Sequence, residues 1–183
     1  MGSEMCIRDR QAAECRIWYP CCGFGQGAYS LAMTIDRARA ELGSEIAVEI
    51  VATDASQDAL DVASACMFHE GELDGLPESF RQRFLVQDGE DYKVDENICK
   101  MLHFKQCDLL SEALELGRFD VIVSPDVLMY FSTGLKRQIL DDYATLLDAS
   151  GILLLNSGEM VQPFSDRFEM VEHEIATFYR QFG

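Results

Sequence analysis

Short apolar runs alternate along this chain with longer segments of helical period, and this order leaves few folds open. The strand-like runs in the main part of the chain are Arg16–Tyr19, Ile46–Thr53, Leu102–Lys105, Phe119–Val123 and Gly151–Leu155. Near the end, Phe168–His173 and Ile175–Arg180 are separated by almost nothing, which predicts an antiparallel hairpin. We therefore expect an α/β domain built on a mostly parallel sheet with one reversed strand.

The segments between the strands carry local signals for helix ends. Apolar residues recur at helical spacing over Tyr29–Leu42, and Gly43 stands where such a helix would end. Ser56 is a suitable N-cap for the next helix, whose buried face is expected to include Met67. Pro77 is placed to occupy the first position of a third, shorter helix.

The size and charge of the chain exclude several classes of function. Its 183 residues are typical of one domain. The 15 basic and 32 acidic residues give a net charge of −17, and such a surface repels phosphate backbones, so we expect no nucleic-acid partner. No apolar run approaches the ~20 residues of a membrane span, so we expect no membrane insertion. Met1–Arg10 shows no period and is interpreted as a leader or artefact, which leaves residues 11–183 as the predicted domain.

The cysteines and histidines do not form a recognisable metal motif. No two of the seven cysteines have C-x-x-C spacing, and His69, His103 and His173 make no zinc spacing with them. Several cysteines lie inside apolar runs, which is typical of reduced cysteines that act as small hydrophobic residues. We predict no metal site.

A glycine-rich segment follows the first strand. Gly23, Gly25 and Gly27 stand at alternate positions between Pro20 and the first helix. Glycine permits positive φ and a close approach of backbone to a ligand, and the start of the helix offers free N–H groups. Open parallel sheets bind ligands beyond the carboxyl ends of their strands, so this segment is a candidate site. The alternative is a turn that only links strand to helix.

Asp54 ends the second strand, where a carboxylate can accept hydrogen bonds from both ribose hydroxyls of a nucleoside. Its alternative role is a solvated carboxylate that caps the next helix. Together with the glycine segment it indicates a nucleoside cofactor. Gly23-x-Gly25-x-x-Ala28 also satisfies the loose dinucleotide pattern, so an NAD-dependent oxidoreductase remains an alternative. Asp54 lies 26 residues after Ala28, however, further than the roughly 20 that pattern expects.

Several motifs resemble those of CheR-type chemoreceptor protein-glutamate methyltransferases. Arg16–Trp18, Cys22-x-x-Gly25 and Tyr29–Met33 look like the first motif of that family, and Val51–Asp54 looks like the second. Further similar segments follow in order: Leu76–Phe84, Tyr92–Val94, Phe104–Leu110, Phe119–Ile122, Val127–Phe131, Gly151–Leu155 and, loosely, Ser157–Glu159. The resemblance covers about residues 16 to 180.

This resemblance implies a Rossmann-like class I methyltransferase fold with S-adenosylmethionine as methyl donor and S-adenosylhomocysteine as product. It further implies a cytoplasmic enzyme, which we expect to be a monomer, that methylates glutamates on the cytoplasmic helices of chemoreceptors. The residues that it assigns to the cofactor are Gly23, Gly25, Gln26, Gly27, Asp54, Asp108, Leu109 and Asp126. Tyr130 matches a tyrosine of the family near the point of methyl transfer, and is the candidate catalytic residue.

Individual roles also follow from the resemblance. Asp108 would accept a hydrogen bond from the adenine amine, and Leu109 would pack against the adenine ring. Asp126 would line the methionine end of the cofactor, where an acid near a sulfonium or amino group is electrostatically favourable. Tyr130 would orient the acceptor carboxylate through its hydroxyl, the alternative being an aromatic ring wedged between its loop and the core.

The chain departs from the family pattern at several of these positions. Gln26 and Gly27 stand where the family has two glutamates, and Asp108 stands where it has asparagine. Pro125 and Asp126 replace an Arg-Asn pair, which removes a cation and exchanges an amide for a carboxylate. Members also carry an N-terminal helical domain, which we do not expect in this sequence. These departures keep open a second hypothesis, a pseudoenzyme that binds the cofactor without turnover.

Overall fold

The computed structural model describes residues 14–162, 164–173 and 176–182. The interpretation of Met1–Arg10 as a leader lies outside the described residues, and the domain boundary at residue 11 stays a prediction. The strands are β1 (Glu14–Pro20), β2 (Ala47–Asp54), β3 (Met67–His69), β4 (Leu85–Asp88), β5 (Asp91–Val94), β6 (Leu102–Gln106), β7 (Phe119–Val123), β8 (Leu147–Leu154), β9 (Phe168–His173) and β10 (Ala176–Gln181). The helices are α1 (Gln26–Leu42), α2 (Gln57–Ser64), α3 (Glu78–Phe84), α4 (Glu96–Lys100) and α5 (Thr133–Leu146).

Seven strands form one sheet in the order β6-β2-β1-β7-β8-β10-β9. The pairs β2–β6, β1–β7 and β7–β8 are parallel, whereas β10 is antiparallel to both of its neighbours. The expected mostly parallel sheet with one reversed strand and a closing hairpin is therefore confirmed. The strand order reverses at β1, which makes the carboxyl end of β1 the place where this kind of sheet binds ligands.

A second, three-stranded antiparallel sheet has the order β3-β5-β4. In the sequence, Tyr92–Val94 within β5 was noted for its resemblance to the family, and the sheet itself was not predicted. The expected role of Met67 on a helix face is wrong, because α2 ends at Ser64 and Met67 begins β3. Cys66, with φ of 56°, turns the chain between these two elements without the glycine that normally marks such a turn.

The chain forms two compact units. We call residues 19–45 and 49–108 the N-terminal unit, and residues 14–18, 46–48 and 109–182 the C-terminal unit. Tyr29 is a central residue of the N-terminal unit: its ring packs edge-on against Phe68 with centroids 5.2 Å apart, and its hydroxyl donates to the carbonyl oxygen of Ala63 at 2.9 Å. This contact holds α1 against α2.

Trp18 has the same central place in the C-terminal unit. Its indole stacks on Phe119 with centroids 5.7 Å apart and meets the edge of Tyr143 at 5.4 Å. The hydroxyls of Tyr143 and Ser124 share a buried hydrogen bond of 2.8 Å, which ties α5 to the end of β7. None of the helices in the described residues combines the length and the hydropathy needed to cross a membrane.

Candidate active site

The segment between β1 and α1 is a compact turn in which several residues have a left-handed backbone conformation. Cys21, Gly23 and Gly25 have φ angles of 53°, 54° and 91°. The Gly25 N–H donates to the Cys22 carbonyl at 3.0 Å, and the Gly25 carbonyl accepts from the Tyr29 N–H at 2.9 Å. The turn therefore leads directly into the first turn of α1, which begins at Gln26 and not at Tyr29 as the apolar period predicted. An apolar period cannot detect a first turn made of Gln and Gly.

Asp54 holds this glycine turn against the end of β2. Its Oδ2 accepts from the Gly23 N–H at 2.9 Å, and its Oδ1 accepts from the Ser56 N–H at 2.9 Å. The Cys22 N–H donates to the Thr53 carbonyl at 2.9 Å, which adds a second tie between the two strand ends. The structure thus brings together two of the predicted site residues, Gly23 and Asp54. Each oxygen of the Asp54 carboxylate has two lone pairs and one backbone donor, so each can accept one further hydrogen bond.

The two later glycines are required by packing. Gly25 has positive φ, and a Cβ on it would lie 3.0 Å from the Cβ of Ala63. A Cβ on Gly27 would overlap the hydroxyl oxygen of Tyr19 and lie 2.9 Å from its Cζ. Gly23 is different, because a Cβ there would meet nothing within 4 Å. Open space beside Gly23 is what a bound ligand would need.

Gln26 is the first residue of α1 and lines a cavity of about 420 Å³ within the N-terminal unit. Its Nε2 donates to Oε1 of Glu72, which also lines the cavity, at 3.3 Å. The apolar side chains that line the cavity include Tyr29, Met33 and Phe68. The assignment of Gln26 to the cofactor stays a prediction.

Asp108 follows β6 and is exposed. The preceding Cys107 N–H donates to the Asp54 carbonyl at 3.0 Å, which sets the end of β6 beside the end of β2. The pKa of the Cys21 thiol is raised to about 11, first by burial of its sulfur and then by the negative charges of Asp54 and Asp108. The Cys21 thiol and the carboxylates of Asp54 and Asp108 therefore lie close enough to interact electrostatically.

Leu109, Asp126 and Tyr130 lie in the C-terminal unit. Leu109 is only 9% exposed, so little of its side chain is left to pack against an adenine ring. Tyr130 is 80% exposed in a short 3-10 turn, so it does not wedge its loop against the core and its ring is accessible to an acceptor. The structure thus favours an accessible Tyr130, and the roles of all three residues stay predictions.

Asp126 has a left-handed backbone, with φ of 58°, and is held by two residues that follow β8. Its Oδ1 accepts from the Asn156 side-chain amide at 2.8 Å, and its N–H donates to Glu159 Oε2 at 2.8 Å. Glu159 and Asn156 were not among the predicted site residues. The loose resemblance of Ser157–Glu159 to the family segment after the fifth strand was a sequence signal for Glu159, but Asn156 lies just before that segment.

The described residues contain no group of three or more His, Cys, Asp or Glu side chains arranged to hold a metal ion. Cys22 and Cys107 are buried free thiols, as expected of small hydrophobic residues. Burial and the nearby Asp54 raise the pKa of Cys22 to about 12, so this thiol is protonated at neutral pH.

Residues 2–177 match the family described as CheR methyltransferase, SAM binding domain. The chain belongs to this family. Among its relatives is chemotaxis protein methyltransferase 1 of Vibrio cholerae, 33% identical over 168 residues that cover 90% of this chain and 61% of the relative. The protein of the same name in Pseudomonas aeruginosa is 34% identical over 183 residues, covering 95% of this chain and 65% of the relative. The CheR-type chain thus spans about three fifths of the length of these relatives.

Solved structures show the same fold. A TehB-like SAM-dependent methyltransferase from Corynebacterium glutamicum matches with a TM-score of 0.53 and 13% identity, over 92% of this chain and 80% of that protein. The DszA carbon methyltransferase matches with a TM-score of 0.52 and 18% identity, over 85% of this chain and 31% of that protein. The predicted class I methyltransferase fold is confirmed, and the CheR family match decides against an NAD-dependent oxidoreductase.

Proposed function

We propose that this chain binds S-adenosylmethionine and transfers its methyl group to glutamate side chains on the cytoplasmic helices of chemoreceptors. The observation that carries the proposal is the hydrogen bond from the Gly23 N–H to Asp54 Oδ2, 2.9 Å long, at the carboxyl ends of β1 and β2. It fixes a carboxylate beside an open glycine turn, which is the arrangement that nucleoside sites of this fold class use. The family match supplies the choice of nucleoside.

The residues present fit an adenosine group. Asp54 is only partly buried, and each of its oxygens has one backbone donor and one remaining lone pair. Two vicinal ribose hydroxyls can therefore donate to it without displacing the backbone. The space beside Gly23 is open, so a ligand can approach the backbone closely. Asp108 adds an exposed acceptor suited to an exocyclic amine.

The chemistry needs alignment more than acid–base catalysis. When bound, S-adenosylmethionine supplies an electrophilic methyl group on a sulfonium. A glutamate acceptor has a reference pKa of ~4.3, so it is ionised at neutral pH and no general base is required. A carboxylate oxygen forms the new bond to carbon as the bond from carbon to sulfur breaks, and both charges are neutralised. Holding the reactants in line can lower the barrier by about 7–11 kcal/mol at best.

The proposal assigns the remaining roles as the family resemblance implies. Tyr130, exposed and in the C-terminal unit, orients the acceptor carboxylate through its hydroxyl. Asp126 faces the methionine end of the cofactor. Leu109 is only 9% exposed, so it contributes only the small accessible part of its side chain beside adenine. Gly25, Gln26 and Gly27, at the start of α1, complete the proposed set of residues that bind the cofactor. We further propose that the protein acts in the cytoplasm as a monomer.

A specific observation favours a second candidate, a pseudoenzyme that binds the cofactor without methyl transfer. Pro125 and Asp126 stand after β7 where the resemblance leads us to expect an arginine and an amide. Asp126 is hydrogen-bonded to Asn156 and Glu159, so its loop is well formed although its charge differs from the family pattern. Such a loop supports binding as well as it supports turnover.

Labelled methyl transfer separates the two candidates. Purified chain, methyl-labelled S-adenosylmethionine and the cytoplasmic fragment of a methyl-accepting receptor are incubated, and base-labile methyl ester on the receptor is counted. The proposal predicts ester formation that is lost when receptor glutamates are replaced by alanine. Binding of S-adenosylhomocysteine without any ester would support the pseudoenzyme instead. A matched reaction with Tyr130→Phe is expected to form ester about 10- to 100-fold more slowly, since the orienting hydroxyl is absent.

A further inference from the structure

The loop that follows β7 is attached to the segment that follows β8 through one carboxylate. Glu159 Oε2 accepts from the Asp126 N–H at 2.8 Å and from the Asn156 N–H at 3.3 Å. Glu159 Oε1 accepts from the Leu128 N–H at 3.1 Å. One side chain thus receives three backbone N–H groups, two of them from the loop that carries the candidate catalytic residue Tyr130.

The N–H groups of Asp126 and Leu128, which donate to Glu159, have no acceptor within the 3-10 turn of their own loop. Leu128 begins the 3-10 turn Leu128–Tyr130, and the first N–H groups of any helical turn have no partner within it. Asp126 has a φ of 58°, a conformation that non-glycine residues rarely adopt and that persists only where surrounding contacts fix it. Hydrogen bonds to an ionised acceptor are about twice as strong as neutral ones, so Glu159 is well suited to this task.

The Glu159 backbone is itself anchored. Tyr179, a buried residue of β10, donates its hydroxyl to the Glu159 carbonyl at 3.5 Å. The Asn156 side-chain amide donates to Asp126 Oδ1 at 2.8 Å, which ties the same two segments a second time. The carboxylate therefore reaches the backbone of the loop from the segment after β8, which is itself hydrogen-bonded to β10.

We infer that Glu159 is a positioning residue for the proposed methyl transfer: it fixes the backbone of residues 126–128 and, through them, the exposed ring of Tyr130. The inference rests on the proposed function, because Tyr130 matters for turnover only if this chain transfers a methyl group. Glu159 touches neither reactant in this role. Its effect is expected on turnover and on loop order. A smaller effect is expected on cofactor affinity, because Asp126 is the one assigned cofactor residue on this loop, whereas Gly23 and Asp54 are held by contacts that do not involve Glu159.

The test compares Glu159→Gln with two matched controls in the same unit. Glu169→Gln makes the same charge change on an exposed residue of β9, and Ile139→Val reduces stability by trimming a buried side chain of α5. Amide hydrogen exchange at Asp126 and Leu128, kcat, KM and the affinity for S-adenosylhomocysteine are measured on the full chain. Tm is recorded for each variant, so that a merely structural effect is recognised.

In Glu159→Gln, exchange at the Asp126 and Leu128 amides should become about tenfold faster or more, because the charged acceptor is gone. The kcat should fall about 10- to 100-fold, since displacement of a positioning group by about 1 Å can have that effect. S-adenosylhomocysteine affinity should change less than about threefold, well below the effect of losing a charged hydrogen bond. Glu169→Gln should match the unaltered chain in every readout.

Unchanged exchange at both amides in Glu159→Gln would overturn the inference. So would a loss of kcat that Ile139→Val reproduces at the same decrease in Tm. If the unaltered chain does not bind S-adenosylhomocysteine, the proposed function fails and the catalytic part of the inference fails with it. Exchange at Asp126 and Leu128 then still decides whether Glu159 fixes the loop.

Discussion

The hydroxyl oxygen of Tyr19 lies in the space that a Cβ on Gly27 would occupy. Tyr19 belongs to the end of β1, and Gly27 is the second residue of α1, so this contact sets how closely the helix begins beside its strand. In the sequence, Gly27 was interpreted as part of a ligand-binding turn, and the structure shows that close packing against Tyr19 also requires a glycine there. The spacing of residues in the sequence could not show that Gly27 contacts Tyr19.

Replacing Gly27 by alanine is expected to destabilise the protein. The new methyl group would overlap the Tyr19 side chain, and overpacking of this kind costs about 1–3 kcal/mol. Gly134 is the matched control, because it is also the second residue of a helix and a Cβ there would meet nothing within 4 Å. Gly134→Ala should raise the free energy of unfolding by about 0.5–1 kcal/mol. Urea denaturation measures the free energy of unfolding of both variants.

The double variant Gly27→Ala with Tyr19→Phe identifies the cause. Removal of the hydroxyl relieves the worst overlap, although Cζ remains 2.9 Å from the new Cβ. We expect the double variant to lose less stability than the sum of the two single changes. Strict additivity would show that the Tyr19 hydroxyl is not what excludes a side chain at Gly27.

The buried pair Ser124 and Tyr143 should show energetic coupling. Their hydroxyls are 2.8 Å apart and fully enclosed, so Tyr143→Phe or Ser124→Ala leaves a buried polar group without this partner, at about 1–3 kcal/mol. The double variant should cost less than the sum by about 0.5–1.5 kcal/mol. Trp18, the only tryptophan in the sequence, contacts Tyr143 and reports unfolding by fluorescence. If the effects of the two single variants on the free energy of unfolding simply add in the double variant, the expected coupling between Ser124 and Tyr143 is contradicted.

Cys21 should react slowly with alkylating agents for a cysteine at the protein surface. Its pKa is raised to about 11 by burial of the sulfur and by Asp54, and only the thiolate is nucleophilic. A rise of two pKa units lowers the reaction rate about a hundredfold at pH 8. The rate should increase with pH until about pH 11, which iodoacetamide labelling with peptide mapping measures.

Asp54→Asn should speed that labelling, because removal of a negative charge stabilises the thiolate and lowers the Cys21 pKa. Asp88→Asn, a change at the exposed last residue of β4, should leave the rate as it was. Equal rates in the unaltered chain and Asp54→Asn would show that Asp54 does not act on this thiol.

The proposed acceptor is acidic and the chain carries a net charge of −17, so the two should repel each other. Raising the ionic strength from about 0.02 M to 0.15 M shortens the screening length to about 8 Å and should lower KM for a glutamate-rich receptor peptide severalfold. A peptide with flanking acids replaced by glutamine should show little change. A KM that rises with salt would reveal a basic surface that steers the acceptor, contrary to this expectation.

The sequence predicted the parts of the site that depend on strand ends. Gly23 follows β1 and Asp54 ends β2 in the same sheet, and the carboxyl ends of parallel strands share an edge. Glu159 could not be found in this way, because its partners Asp126 and Leu128 lie more than 30 residues earlier and meet it only through the fold. Family resemblance drew attention to its segment without stating its contacts.

The second sheet was missed for a different reason. The strand β3 has three residues and β4 has four, and most of them are exposed, so neither shows the alternation that predicts a half-buried strand. By contrast, β7 was predicted with its observed bounds, Phe119–Val123, because its apolar, β-branched composition marks it clearly as a strand.

Titration of S-adenosylhomocysteine into the purified chain by calorimetry tests the central proposal most directly, with NADH as the control ligand. The unaltered chain should bind S-adenosylhomocysteine with micromolar affinity and should not bind NADH. Asp54→Asn should weaken binding about 10- to 100-fold, because the charged acceptor for the ribose hydroxyls is lost. Absence of S-adenosylhomocysteine binding, or an affinity that Asp54→Asn leaves unchanged, would contradict a nucleoside site built on Gly23 and Asp54.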